Sequence, residues 1–469
     1  MIRLGFLFAY VLGFAAYAWK DWFRSLCGLI LLMAVIEHPD MPKSILGIQG
    51  LNPWNLLLLS IVLAWLSKRG REGLTLDLPV HAAVLLVLYL AVVVAGFLRM
   101  VVDRDGLDPE RFSTAQLWSE YFINTLKWPI PALLLYDGAR TRKRQMLALF
   151  SIVGVYLLLA VQVIKWMPAE FAGSGGDLSS RALKIIMNEI GYSRVSMSML
   201  LAGGSWALLV TQSVVSRWWQ KVLVFVGFLA MVYAQALTGG RMGYLAWAAI
   251  GLVVGLVRYR RYLLLAPLVP LLVIQLAPGA VQRMSQGIDP DRAEEESIDA
   301  GQLTSGRNLA WPLVVEMIKR APVVGWGQQA MMRTGITAEL GEESFAHPHN
   351  AYLELLLDNG WLGFLLVIPF FLVTLFHALR LFLARGEPVW VAGAGVATCL
   401  MLAFLLAALG SHTFYPRANT FGLWCSIGLM YRLAQERGRH RAAAHPNARA
   451  IWHVAAPEPW TGEAQPSAP

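Results

Sequence analysis

The sequence predicts an all-α polytopic membrane protein with 12 or 13 transmembrane helices, and three observations carry that prediction. Of 469 residues 57% are hydrophobic and 15% charged. The apolar residues form long uninterrupted runs rather than amphipathic stripes. Backbone polar groups in lipid must be satisfied within their own element, so a span is a helix or part of a closed barrel, and alternating strand-like segments are absent.

A helical span needs about 20 apolar residues, with roughly 17 to 25 tolerated. Candidate spans are 4–19, 22–37, 53–67, 81–100, 122–137, 146–166, 195–214, 220–237, 242–258, 261–277, 361–383, 389–410 and 418–434. The first two are short enough to form a tight hairpin. Met1-Ile2-Arg3 and the following run resemble a signal-peptide core, but no small-residue cleavage site follows, so a retained span is expected. Cys27, Cys399 and Cys425 lie inside apolar runs, which fits small buried thiols and offers neither a disulfide framework nor a metal spacing.

Short cytoplasmic connections carry the Lys and Arg excess. The basic connections are Lys20 to Arg24, Lys68 to Arg71, Arg140 to Arg144, Arg217 with Lys221, Arg258 to Arg261, Arg380 with Arg385, and the tail Arg432 to Arg441. They alternate in phase with 38–52, 101–121, 167–194, 238–241, 278–360 and 411–417, which are therefore expected outside. The net charge of +9 then lies mainly inside. Positive-inside bias explains it and no nucleic-acid partner is implied.

Four parts follow: transmembrane helices over 1–277, an outer loop with short helices over 278–360, further transmembrane helices over 361–434, and a basic, disordered cytoplasmic tail over 435–469. Within the loop, 282–304 reads as flexible and acidic, with Asp289, Asp291, Glu294, Glu295, Glu296 and Asp299 close together. Asn308 to Arg320 reads as a helix with Leu309, Leu313, Met317 and Val314 on one face. Pro312 sits early in it, and Ala321-Pro322 ends it. Gly325-Trp326-Gly327 makes a turn.

The stretch Ser344 to Leu366 is the chemical centre of the chain. His347 and His349 flank Pro348, which biases His347 towards an extended backbone and marks a boundary. A short helix is expected from Asn350, stopped at Asn359-Gly360 by a left-handed cap. His349 then lies at a helix N-terminus, where the macrodipole disfavours the imidazolium and a neutral, basic ring is expected. A capping role for His349 or Asn350 is the bland alternative. On the outer face this stretch joins Arg194, Arg241 in Thr-Gly-Gly-Arg-Met-Gly, and Arg307. Guanidinium forks suit phosphate oxygens, and boundary charge marks a functional candidate. Glu354 and Asp358 read as solvated or paired with an arginine.

Weaker signals carry less. Asp289-Pro-Asp291 and Asp103-Arg-Asp105 imitate the spaced carboxylates of metal-dependent sugar transferases, a common chance match. Gly325-Trp326-Gly327 lacks the third glycine and the strand of a dinucleotide fingerprint, and no phosphate-binding GKT or GKS run occurs. A zinc site on His347 and His349 would need further ligands. No cofactor and no metal site is expected.

The pattern Ser305-Gly306-Arg307, Trp311, Met317-Ile318, Pro322, Gly325-Trp326-Gly327, then His347-Pro348-His349-Asn350-Ala351-Tyr352-Leu353, then Asp358-Asn359-Gly360-Trp361-Leu362-Gly363 resembles the O-antigen ligase and polymerase superfamily. Gly191-Tyr192-Ser193-Arg194 and the Gly-Gly-Arg241 turn resemble its lipopolysaccharide O-antigen ligase branch, although Ser-Arg-Val-Ser stands where many relatives carry an asparagine-containing signature. The resemblance implies a metal-independent, GT-C-type glycosyltransferase of the bacterial inner membrane with a periplasmic active site. It implies an undecaprenyl-diphosphate-linked glycan as donor, a sugar hydroxyl of lipid A core as acceptor, and membrane lipid as surroundings. His349 matches the family's base. Arg194, Arg241 and Arg307 match diphosphate-holding arginines, with His347, Asn350 and Tyr352 as further substrate-binding candidates.

Attack of an alcohol on an anomeric carbon needs a base within about 3 Å of the hydroxyl, and a diphosphate leaving group needs charge stabilisation more than a proton. One displacement inverts the anomeric centre. Two other readings remain open: a polymerase or protein O-oligosaccharyltransferase with the same donor, and a transporter whose arginines only bind lipid diphosphate.

Overall fold

The computed structural model describes residues 2–45, 48–109, 112–168, 170, 173, 175–264, 275, 278–285, 307–341, 347–410 and 413–444. Among them the regular structure is helical apart from one two-residue antiparallel pairing, Ser44–Ile45 with Ile48–Gln49. The first half contains α1 (Ile2–Ala18), α2 (Trp22–Leu32), α3 (Pro53–Arg69), α4 (Val80–Val102), α5 (Ile130–Gly138), α6 (Arg142–Trp166) and α7 (Gly175–Glu189). Then come α8 (Arg194–Val210), α9 (Trp218–Leu237), α10 (Arg241–Val257), α11 (Pro278–Ser285) and α12 (Arg307–Arg320). The chain finishes with α13 (Ala351–Leu383), α14 (Pro388–Ala407) and α15 (Phe421–Ala444). Six helices are long and apolar enough to cross a membrane: α4, α6, α8 with the turn after it, α9, α13 and α14. The chain is an all-α polytopic membrane protein.

Twelve of the thirteen apolar runs fall on helices, and 261–277 lies largely outside the described residues. The first two runs do form a hairpin. Tyr10 donates to Gly28 O at 2.9 Å and Ser25 to Phe14 O at 2.9 Å, an approach that Gly28 permits because a Cβ there would meet the Phe14 ring at 2.8 Å. The run 122–137 is not one helix. A π-helical turn over Leu117–Ile123 and a single turn over Asn124–Leu126 precede α5, because Pro129 lacks an amide donor and breaks the ladder. The Lys127 side chain beside this break is buried, and its ammonium donates to Asn55 and Asn124 at 3.0 and 2.7 Å.

The centre of the bundle is α8 against α14. The apolar stretch of α14 is 83% buried, whereas that of α4 is 33% buried and faces outward. Small residues make that contact possible: a Cβ on Gly203 would meet Ala403 Cβ at 2.7 Å, and one on Gly395 Val210 Cγ2 at 3.1 Å. In lipid, where apolar burial drives little association, such close backbone approach is what holds helices together.

The basic connections gather at one end of the bundle. There Asp77 accepts from Arg432 at 3.0 Å and from Arg439, Glu72 pairs with Arg144 at 3.0 Å, and Arg142 with Glu387 at 3.1 Å. The same contacts extend the last helix to Ala444, through the first residues of the expected disordered tail, since Gln435 is held by Tyr136 at 2.8 Å and by Asp77 O at 2.8 Å. Residues 445–469 lie outside the described residues, as does the acidic cluster Asp289 to Asp299. The flexible segment expected over 282–304 begins, instead, within α11.

At the other end, hereafter the loop end, α12 starts one residue earlier than expected and buries a different stripe. Ala310, Val314 and Ile318 face Met331, Ile336 and Leu357, with Leu313 and Met317 at the flank. Leu309, expected on that face, is exposed. The two glycine motifs meet. Trp326 N donates to Leu357 O at 2.9 Å and Gly327 N to Asp358 O at 2.6 Å, while Trp361 N donates to Pro322 O at 2.8 Å and Leu362 N to Val323 O at 3.0 Å. This clasp needs Gly360, whose φ is +62° and whose added Cβ would lie 2.4 Å from the Val323 carbonyl. The expected stop at Asn359-Gly360 is therefore present, as a kink within α13.

Candidate active site

The histidine turn is built by what pins its two ends. Pro348 O accepts from the Trp311 indole at 2.9 Å, which fastens the turn to α12. Asn350 is the N-cap of α13, its Oδ1 accepting from Tyr352 N at 3.0 Å and Leu353 N at 3.2 Å. Ala351 N donates to Ala408 O at 2.7 Å and the Tyr352 hydroxyl to Leu405 O at 3.1 Å, which fastens the helix start to the end of α14. Between these anchors His349 has a φ of +51°, a left-handed conformation uncommon for a residue with a Cβ and often stored at functional sites.

The two imidazole rings are 4.3 Å apart, centre to centre. Burial, then the neighbouring His349 and the positive Arg417, push His347 down to about 3. His347 is thus neutral at any physiological pH and can only trade hydrogen bonds, whereas His349 is the member of the pair set at the helix start.

Each of the three arginines is the first residue of a helix. Arg194 opens α8 behind the N-cap Ser193 and donates to Gly239 O at 3.1 Å. Arg241 opens α10 after Gly239, at φ +65°, and Gly240. The glycines around Arg241 follow from a close crossing: a Cβ on Gly240 or Gly243 would meet the Ser198 side chain at 2.6 or 1.9 Å. Arg307 opens α12 and donates from Nη2 to Gly410 O at 2.7 Å, while its Nε is buried without a hydrogen-bond partner among the described residues.

The arginines come together. Arg241 acts electrostatically on both Arg194 and Arg307, and burial followed by the Arg241 charge lowers Arg307 below the usual guanidinium range. The connection after α14 joins them to the histidines, since Ala408 O holds Ala351 and Gly410 O holds Arg307. Distant segments thus converge, at the loop end, on one cationic surface beside an imidazole pair.

Asn350 and Tyr352, expected to bind substrate, spend their Oδ1 and hydroxyl on the cap and on Leu405. Glu354 and Asp358 are not solvated, at 7% and 3% exposure. Asp358 accepts from Tyr415 at 2.9 Å and from Ala330 N at 3.3 Å, and Asn359 donates to the same hydroxyl at 2.7 Å. Glu354 lies beside Thr413 and Arg417. Asp103 is tied to Arg333 in an ion pair, while Asp289 and Asp291 lie outside the described residues. Among the described residues no three His, Cys, Asp or Glu converge as a metal site.

Sequence reasoning missed Arg417, which faces both His347 and Glu354. The signal that singled out Arg241, an arginine in a short connection on the arginine-poor face, applies equally to 411–417. A family model described as O-antigen ligase matches residues 226–368. That range holds Arg241, Arg307, the histidine pair, Asn350 and Tyr352, while Arg194 and Arg417 fall outside it. A search of curated protein sequences returns no match. The matched stretch spans the arginine turn, the loop clasp and the histidine turn, and over these residues the chain is similar to the O-antigen ligase family.

Proposed function

We propose that the protein transfers a glycan from undecaprenyl diphosphate to a sugar hydroxyl of lipid A core, at the periplasmic face of the bacterial inner membrane. The observation that carries this reading is the convergence of Arg194, Arg241 and Arg307, each at a helix start, with the buried, unpartnered Nε of Arg307. A buried donor left unpaired costs about 1–3 kcal/mol, so a ligand oxygen is the natural partner. Helix N-termini add backbone donors and positive dipole ends suited to the same anion.

In this mechanism the arginines hold the diphosphate and stabilise the charge it gains as the anomeric carbon–oxygen bond breaks. The acceptor oxygen forms the new bond from the opposite face, which inverts the anomeric centre. Its proton passes to His349. His347, held neutral by burial, the neighbouring His349 and the Arg417 charge, packs beside the His349 ring, 4.3 Å between centres, and positions it. The polyprenyl tail stays in lipid while the head reaches the site, which suits a cationic cluster at a bundle end.

Purified protein reconstituted with lipid-linked glycan should glycosylate lipid A core in the presence of a chelator. His349→Ala should abolish transfer while still inserting, and normal transfer by that variant would sink the base assignment. Supplying a growing glycan or a protein hydroxyl as acceptor in the same assay separates the polymerase and protein O-oligosaccharyltransferase readings. A transporter is disfavoured because these polar groups cluster at one end of the bundle rather than at the membrane midplane.

A further inference from the structure

The turn Ala321–Val324 belongs to no span, yet it presents apolar side chains outward. Val323 is 63% exposed, and Val324 beside it is exposed as well. The turn is clasped onto the α13 kink through Pro322 O and Val323 O, and Arg99 of α4 donates to Val324 O. Around it Trp361, Leu362 and Leu365 on α13, and Leu98 and Val102 on α4, are exposed too. Further along α13 the exposed face continues through Leu372 and Phe376. Such a face on a membrane-spanning helix looks into lipid, so a turn bonded to its upper edge borders the same solvent.

We propose that Ala321–Val324 is a membrane-docking foot, seated in the acyl-chain region of the leaflet at the loop end. Continuity with the lipid face of α13 fixes the occupant as bilayer lipid rather than another protein. The flanking charge agrees. Lys319 is exposed one turn above Val323, where its stem can lie along apolar surface and its head reach lipid phosphate, while Arg320 is paired with Glu316 at 2.5 Å. Trp361 sits at the boundary where indoles concentrate.

One consequence rests on the transferase reading above. The foot lies at the C-terminal end of α12 and Arg307 at its N-terminal end, so seating the foot in lipid sets the height of the diphosphate-binding arginine. The docking itself does not depend on that reading and is tested without glycan transfer.

Full-length Val324→Cys, Leu362→Cys and Ala338→Cys proteins, each spin-labelled in liposomes, report lipid or water through nitroxide collisions with oxygen and with a water-soluble nickel chelate. Cys27, Cys399 and Cys425 are all buried and leave the introduced thiol as the accessible one. Position 362 is the lipid reference, and position 338, exposed beside Glu339 in the outer loop, is the aqueous one. The oxygen-to-nickel ratio at 324 is expected to be several-fold above that at 338 and nearer to that at 362. A ratio nearer to that at 338 overturns the proposal.

Discussion

Replacing Arg307 with lysine tests the buried Nε that the arginine cluster leaves open, one of several such donors among the described residues. The lysine keeps the charge and can reach Gly410 O, the acceptor now held by Nη2 at 2.7 Å, but it has nothing in the place of the buried Nε. A hydrogen bond to a charged group is worth about 1.5–3 kcal/mol, which is roughly a 10- to 150-fold loss in kcat/KM. Because the diphosphate gains charge as the glycosyl bond breaks, the loss should fall mainly on kcat. Arg307→Ala removes the charge as well and should lose more. The assay is transfer from lipid-linked glycan by purified protein in liposomes, with thermal unfolding measured alongside to show that α12 is still seated. Arg307→Lys within twofold of the parent, in a protein of unchanged stability, would refute the assignment of Nε to the donor diphosphate.

Two further outcomes are expected. The folded protein holds His347 neutral down to about pH 3, whereas the unfolded chain takes up that proton below about 6.5, so stability falls with pH across that window. At pH 5 this opposes folding by on the order of 2 kcal/mol, and His347→Asn should flatten the decline of the unfolding temperature between pH 7 and 5; an unchanged slope would show that the ring is solvated. Gly360→Ala combines a φ of +62° with a Cβ 2.4 Å from the Val323 carbonyl. It should destabilise by about 1–3 kcal/mol, read as a lower unfolding temperature and faster proteolysis after Arg320, and a neutral effect would mean that the clasp is dispensable.

Much of the bundle is legible in the sequence because a span depends only on local composition. The hairpin of the first two runs, the stop at Asn359-Gly360 and the helix start after His349 are likewise local signals, carried by length, a glycine and a proline. The break at Lys127 to Pro129 was also written locally, but the apolar run around it hid the proline's effect. What could not be read locally is pairing between distant segments. Trp326 on Leu357, Tyr415 on Asp358 and Arg417 beside His347 leave no periodicity, since each partner satisfies its own local rules. The same limit explains Leu309: a helix of mixed polarity admits two apolar stripes, and only the position of Met331, Ile336 and Leu357 selects Ala310, Val314 and Ile318.

The placement of the arginines is a conflict between local and global demands. A cation in the first turn of a helix faces the positive end of the macrodipole and costs about 0.3–1 kcal/mol. The chain repeats that choice at Arg194, Arg241 and Arg307, and then sets Arg241 within electrostatic reach of the other two. Among the described residues, the charged neighbour that acts on both Arg194 and Arg307 is Arg241. At the basic end Arg432, Arg140, Arg144 and Arg142 pair with Asp77, Asp137, Glu72 and Glu387. Local stability is thus spent at one end of the molecule and conserved at the other. An anion that accepts from several guanidinium groups and helix starts together turns each unfavourable term into a favourable one, and a diphosphate, with its oxygens spread over two phosphorus atoms, can answer more of them than a single carboxylate.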